Sequence, residues 1–244
     1  MMRMLTFAKR CAKEILRDPL NLLFGLGFPI VLLLLLSAIQ ANIPVPLFRI
    51  AHLAPGIAVF GLSFMTLFSA TLVARDRESA LLQRLYTTPL KAVDYILGYI
   101  LPILPIAVAQ SAVSYLIAVA LGLPLSLNIL HALVLILPIA LFNIALGLLC
   151  GSIFNVKQVG GICGALLTNL SAWLSGIWFD LDLVGGVFSK IANLLPFVHA
   201  VELERAAISG GMTDAWPHLM VVLGYAAVTT LGAVLLFLRQ MNRQ

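Results

Sequence analysis

Long apolar runs alternate with short polar stretches along this chain of 244 residues. A helix needs roughly 20 apolar residues to cross the hydrocarbon core of a bilayer. Six runs meet that length: 20–41, 52–74, 95–121, 129–154, 159–179 and 218–238. Pro29, Pro102, Pro105 and Pro138 fall inside these runs and predict kinks. Membrane helices tolerate them because neighbouring groups satisfy the freed carbonyls.

Two polar stretches carry a helical period of their own. In residues 1–19, Met4, Leu5, Phe7, Ala8, Cys11, Ala12, Ile15 and Leu16 cover one half of a helical wheel, and the basic residues cover the other. Asp18-Pro19 ends the helix, since a proline disfavours helical geometry in the residue before it. The pattern predicts an amphipathic helix lying in the inner headgroup layer, with Lys9, Arg10, Lys13 and Arg17 at the membrane surface. The second stretch, ARDRESALLQRLYTTP at 74–89, joins two spans where a short turn would suffice. Leu81, Leu82, Leu85 and Tyr86 share one face with Glu78, while Asp76, Arg77, Gln83 and Arg84 share the other. A solvated polar face is one reading. The other is a helix over 75–90 that docks its leucine face into the groove of a soluble partner.

The outer stretch 180–217 is too long for a turn and too interrupted to span. Val184, Val187, Phe188, Ile191, Leu194 and Leu195 recur at helical spacing, Pro196 breaks the run, and a second helix follows with Glu202, Glu204 and Arg205. Each piece has the length of a re-entrant or interfacial helix, and either a lid or structural packing accounts for it.

Composition narrows the class. Hydrophobic types make up 61% of the chain and charged types 10%, against roughly 25% charged residues in a soluble domain. The chain reads as an all-α polytopic membrane protein. Its net charge of +5 is an orientation signal and carries no implication of nucleic acid. Arg3, Lys9, Arg10, Lys13, Arg17, Arg75, Arg77, Arg84, Lys91, Lys157, Arg239 and Arg243 all fall on one side of the six spans. Only Arg49, Lys190 and Arg205 fall on the other, so the positive-inside rule puts both termini in the cytoplasm.

Several mechanisms lack their residues. No span carries Asp, Glu, Lys or Arg in its central region, where an ion-coupled carrier places a relay. No G-x-x-x-x-G-K-[ST] is present to cradle phosphates. Gly160-Gly161 is better read as a site of close helix packing. Polar side chains within the spans offer a candidate substrate path at Ser63, Thr66, Gln110, Ser114, Asn143 and Asn169, although such groups more often bond neighbouring helices. With no charge in the spans, the expected substrate is amphipathic or apolar.

Taken in order, the amphipathic helix ending in Leu16-Arg17-Asp18-Pro19, six spans, the charged segment closing on Thr88-Pro89-Leu90 and the outer stretch LLPFVHAVELERAAISG at 194–210 resemble the permease subunits of ABC-2 type ATP-binding-cassette transporters. The resemblance implies a single transmembrane domain over 1–244 in the cell membrane, binding no cofactor itself. It implies separate ATPase subunits, carrying ATP and Mg, that contact a coupling helix at Arg75, Asp76, Arg77, Glu78, Leu81, Leu82, Arg84, Leu85 and Tyr86. It also implies a second permease, either a copy or a paralogue, and ATP-driven export of drugs, antibiotics, lipids or glycans. A non-transporting scaffold or sensor that recruits a cytosolic partner, and an ion-coupled carrier, are the competing classes.

Overall fold

Helices account for almost all of the described backbone. A computed structural model describes residues 2–43, 45–79, 81 and 92–241. Helix α1 (Met2–Leu16) stops just short of Asp18-Pro19, as the proline requires. Next come α2 (Pro19–Leu22), a π-helical turn at Leu23–Gly27 and α3 (Phe28–Asn42). Pro29 lies one residue past the π turn, whose wider spacing makes room for its ring beside the preceding carbonyls. The long helices are α4 (Ile50–Glu78), α5 (Ala92–Ala120) and α6 (Asn128–Ile153); α5 continues through Pro102 and Pro105, and α6 through Pro138.

The fifth apolar run takes a different form from the others. Asn155 and Gln158 form a reciprocal capping box that starts α7 (Val156–Val159). A π-helical stretch, Gly160–Leu167, follows, and α8 (Thr168–Trp173) ends the run. The Thr168 hydroxyl donates to the Cys163 carbonyl five residues back, filling the gap that the wide turn leaves. Among the described residues, five helices are long and apolar enough to cross a membrane, and this composite helix is not among them. Gly160 and Gly161 meet nothing within 4 Å, so they are not a packing site within this chain.

At the end of the bundle away from Glu78, α9 (Leu181–Val184), α10 (Gly186–Leu194) and α11 (Pro196–Ser209) lead into α12 (Met212–Met241). The Asn128 side chain caps the end of α11 through the Ile208 carbonyl, and the Tyr225 hydroxyl ties α12 to the Leu194 carbonyl.

Helix α4 is the axis of the bundle. Its apolar window is 89% buried inside the protein, against 22% for both the first and last spans. Its closest partner is α6, across Gly147 and Gly151. A Cβ on Gly147 would lie 2.2 Å from the Thr66 carbonyl oxygen, and one on Gly151 would lie 2.4 Å from that of Ala70. The Gly147–Gly151 spacing is the small-residue pattern by which membrane helices bring their backbones together. Hydroxyls cross the same seam: Thr66 donates to the Asn143 carbonyl at 2.9 Å and Ser69 to that of Ile144 at 3.0 Å.

Because the obstacle at Gly147 is backbone, it cannot rotate away. We expect Gly147→Leu to destabilise the protein by about 3 kcal/mol, the upper end of what overpacking a tight seam costs. Gly224, in mid-α12, meets nothing within 4 Å, and Gly224→Ala should stabilise by up to about 1 kcal/mol through helix propensity. Thermal unfolding of the detergent-purified variants measures both; equal effects would refute the assigned seam.

Candidate functional site

The C-terminal end of α4 is where charges from several helices converge. Asp76, on its last turn, is 1% exposed, although a carboxylate is normally left in water. Arg10 of α1 forks onto it, with Nη1 and Nη2 each 2.5 Å from a carboxylate oxygen, and the Tyr99 hydroxyl of α5 donates to Oδ2 at 2.7 Å. Arg10 also pairs with Glu14, and Arg75 with Asp18 at 3.2 Å. Arg77 donates to the Gly151 and Phe154 carbonyls at the end of α6, and the Glu78 carboxylate accepts the Val156 N–H at the start of α7. One turn of helix thus fastens α1, α5, α6 and α7 together.

Aromatic packing seats the arginine. Phe7 meets Tyr95 and Tyr99 edge-on, with centroids 5.8 and 5.0 Å apart, and its ring lies over Gly98. Phe7, Ala8, Cys11 and Ile15 are buried against the protein, so the apolar stripe of α1 packs largely on the bundle instead of on acyl chains. Lys9, Lys13 and Arg17 remain exposed on a cleft of about 850 Å³ closed by Asp18 and Arg75.

The electrostatics match the geometry. Burial works against the Arg10 charge, yet the Asp76 carboxylate outweighs it and raises the arginine's pKa. Burial lifts Glu14 against the pull of Arg10, and burial, with Asp76 beside it, pushes the Cys11 thiol up to about 12, so it stays a thiol.

The residues expected to form the start of a coupling helix therefore have another placement. Arg75, Asp76, Arg77 and Glu78 are the end of the span helix α4, with Asp76 turned inward and Arg77 and Glu78 bonded within the chain. The apolar run carries its helix past residue 74 because internal partners await each of these side chains. Asp76 offers no surface to a partner subunit. Leu81 is half-buried, and Leu82, Arg84, Leu85 and Tyr86 lie outside the described residues.

Of the substrate-path candidates, Ser63, Thr66, Gln110, Ser114 and Asn143 are buried and largely bonded to one another or to helix carbonyls. Ser63 and Asn143 line a void of about 20 Å³, the size of a water rather than a substrate. Asn169 stands apart on the exposed face of α8, bonded to the Ala165 carbonyl.

Two residues with buried chemistry escaped the sequence pattern. Tyr99 reads as an ordinary interfacial aromatic until α1 is placed. Glu204 is fully buried, although the sequence groups it with the outer charges. Its signal was its register, since Ala200, Val201, Glu204 and Ala207 form one buried stripe of α11.

Among the described residues, an all-helical bundle with several apolar helices and an N-terminal helix docked by ion pairs defines a polytopic membrane domain. The ABC-2 type transporter family model matches residues 2–208, and the chain belongs to that family. Its members are transmembrane permeases without an ATPase domain of their own, typically associated with ATP-binding-cassette ATPase subunits. A search of curated proteins finds no match.

Removing one partner from a buried ion pair leaves the other uncompensated. Arg10→Ala strands the Asp76 carboxylate with Tyr99 alone and should destabilise by about 3 kcal/mol. Asp76→Asn should cost less, because the half-exposed Arg10 keeps Glu14 and water. Thermal unfolding of both variants tests the order, and the reverse order would refute the pairing.

Proposed function

We propose that the chain is the membrane-spanning permease of an ATP-driven exporter in the cell membrane. It moves an amphipathic or lipophilic molecule (a drug, antibiotic, lipid or glycolipid) by alternating access, powered by separate ATPase subunits that carry ATP and Mg. The observation that carries the reading is the junction around Asp76. The most buried helix of the bundle ends in an ion-paired knot and leads directly into residues 80–91. A push on that segment from the cytosol therefore acts on α4 and, through Arg10, on α1. The coupling contact in this reading is made by Leu81, Leu82, Arg84, Leu85 and Tyr86, flanked by Arg75.

The described spans contain no carboxylate or cation in mid-membrane, which favours an apolar or amphipathic cargo over an ionic one. The composite helix from Val156 to Trp173 serves as a sixth crossing and returns both termini to the cytoplasm. Its exposed face of Gly160, Gly161, Ala165 and Asn169 suits close approach by a second permease. The substrate path then opens between the two permeases, where Asn169 sits, and at Ser63, Thr66, Gln110, Ser114 and Asn143 once the helices part.

Reconstitution in lipid vesicles with the cognate ATPase tests this. Hydrolysis should be stimulated by the permease, and changing Leu81, Leu82 and Leu85 to Asp should reduce the stimulation at least tenfold while the permease still inserts. Stimulation that survives the triple change refutes the coupling contact. Partner binding without nucleotide-dependent transport supports a scaffold instead.

A further inference from the structure

The outer half of the bundle holds a carboxyl group with no counter-charge. Glu204 of α11 is fully buried. Its Oε2 accepts a hydrogen bond from the Tyr115 hydroxyl of α5, and its Oε1 has no partner. Ser111, one turn from Tyr115 on the same face of α5, has an unpartnered hydroxyl, and Gln110 has an unpartnered carbonyl oxygen. The surroundings are polar at a few atoms and nowhere cationic.

Every other ionisable group near α11 is at the surface or committed elsewhere. Arg205 binds Glu202 and the carbonyls of Gly176 and His52. His199 pairs with His218 of α12 through their Nδ1 atoms at 2.8 Å and bonds the Asn193 carbonyl through Nε2. His52 of α4, His131 of α6, Lys190 of α10 and Asp214 of α12 are exposed, and Tyr225 of α12 is spent on the Leu194 carbonyl. The clusters at Arg75–Glu78 and at Asp94–Tyr99, with Arg239, lie at the opposite ends of α4, α5 and α12.

An isolated carboxylate in such a place is expensive, whereas a neutral carboxylic acid that accepts one hydrogen bond is not. We propose that Glu204 is a proton-binding site, carrying a proton in this conformation, and that the Glu204–Tyr115 contact is a clasp holding α11 on the bundle which loosens when the proton leaves. Burial raises the Glu204 pKa to about 8, and the Tyr115 hydrogen bond pulls slightly the other way. The clasped state holds the proton up to about pH 8, while an opened, solvated Glu204 loses it near the ordinary carboxyl value. The clasp is therefore strongest at low pH, weakens roughly tenfold per pH unit on the approach to 8, and changes no further above it. The site stands whether or not the chain works with an ATPase.

Infrared spectroscopy of the full-length protein in lipid nanodiscs provides the test. Wild type minus Glu204→Gln should show a carboxylic-acid C=O band near neutral pH that gives way to carboxylate with a midpoint near 8. Tyr115→Phe should move that midpoint upward, because it removes a donor that favours the charged form. Hydrogen exchange across α11, corrected for intrinsic rate, should accelerate roughly tenfold per pH unit toward 8 in wild type and stay flat in Glu204→Gln. If that variant does not fold, the wild-type band and the Tyr115→Phe shift still decide the matter. A carboxylate spectrum at neutral pH, or identical exchange profiles in wild type and Glu204→Gln, overturns the proposal.

Discussion

The structure depends on how closely α4 and α6 approach. In a hydrocarbon environment water gives no push toward burying one apolar helix against another, so association rests on close packing and interhelical hydrogen bonds. Gly147 and Gly151 bring the backbone of α6 against that of α4, and Thr66 and Ser69 reach the carbonyls opposite. With α4 fixed as the axis, α5, α11 and α12 fill the positions around the pair. The same seam uses up the hydroxyls that would otherwise offer themselves to a passing molecule, which is why the polar residues of the spans act as joints.

The two buried carboxyl groups solve one problem in opposite ways. Asp76 is near the charges of α1, where Arg10 is in reach and Tyr99 adds a donor, so its carboxylate is paired and anchors α1. Glu204 is surrounded by apolar helix faces with a single phenol against it, and the protein holds it without a counter-ion. Neither solution is visible from residue type. Both follow from what the neighbouring helices bring.

Much of the architecture was legible beforehand because bilayer thickness imposes a length on apolar runs. The spans at 52–74, 95–121, 129–154 and 218–238 all reappear as helices, with ends that shift by one to six residues. The 20–41 run kept its extent but took in a π turn, and the 159–179 run became a composite helix that stops at Trp173. Hydropathy counts residues and is blind to a wide turn. The inner junction was the harder case. Arg75 to Glu78 look like the start of a soluble helix because charges usually mark the end of a span, and only the arrival of Arg10, the Gly151 and Phe154 carbonyls and the Val156 N–H shows why the helix runs on.

Taken alone, the sequence determined the class: a chain so apolar, with its basic residues so sorted, has no stable form outside a membrane, and the order of its segments marks the family. Tertiary structure decided which groups meet. It placed the apolar stripe of α1 against Phe7's aromatic partners instead of lipid, turned Asp76 inward, made Gly147 a contact and left Gly160 open, and buried Glu204 beside Tyr115. The reason is that hydrophobicity is a property of each residue along the chain, whereas the partner of a buried charge and the clearance over a glycine are properties of two helices far apart in sequence.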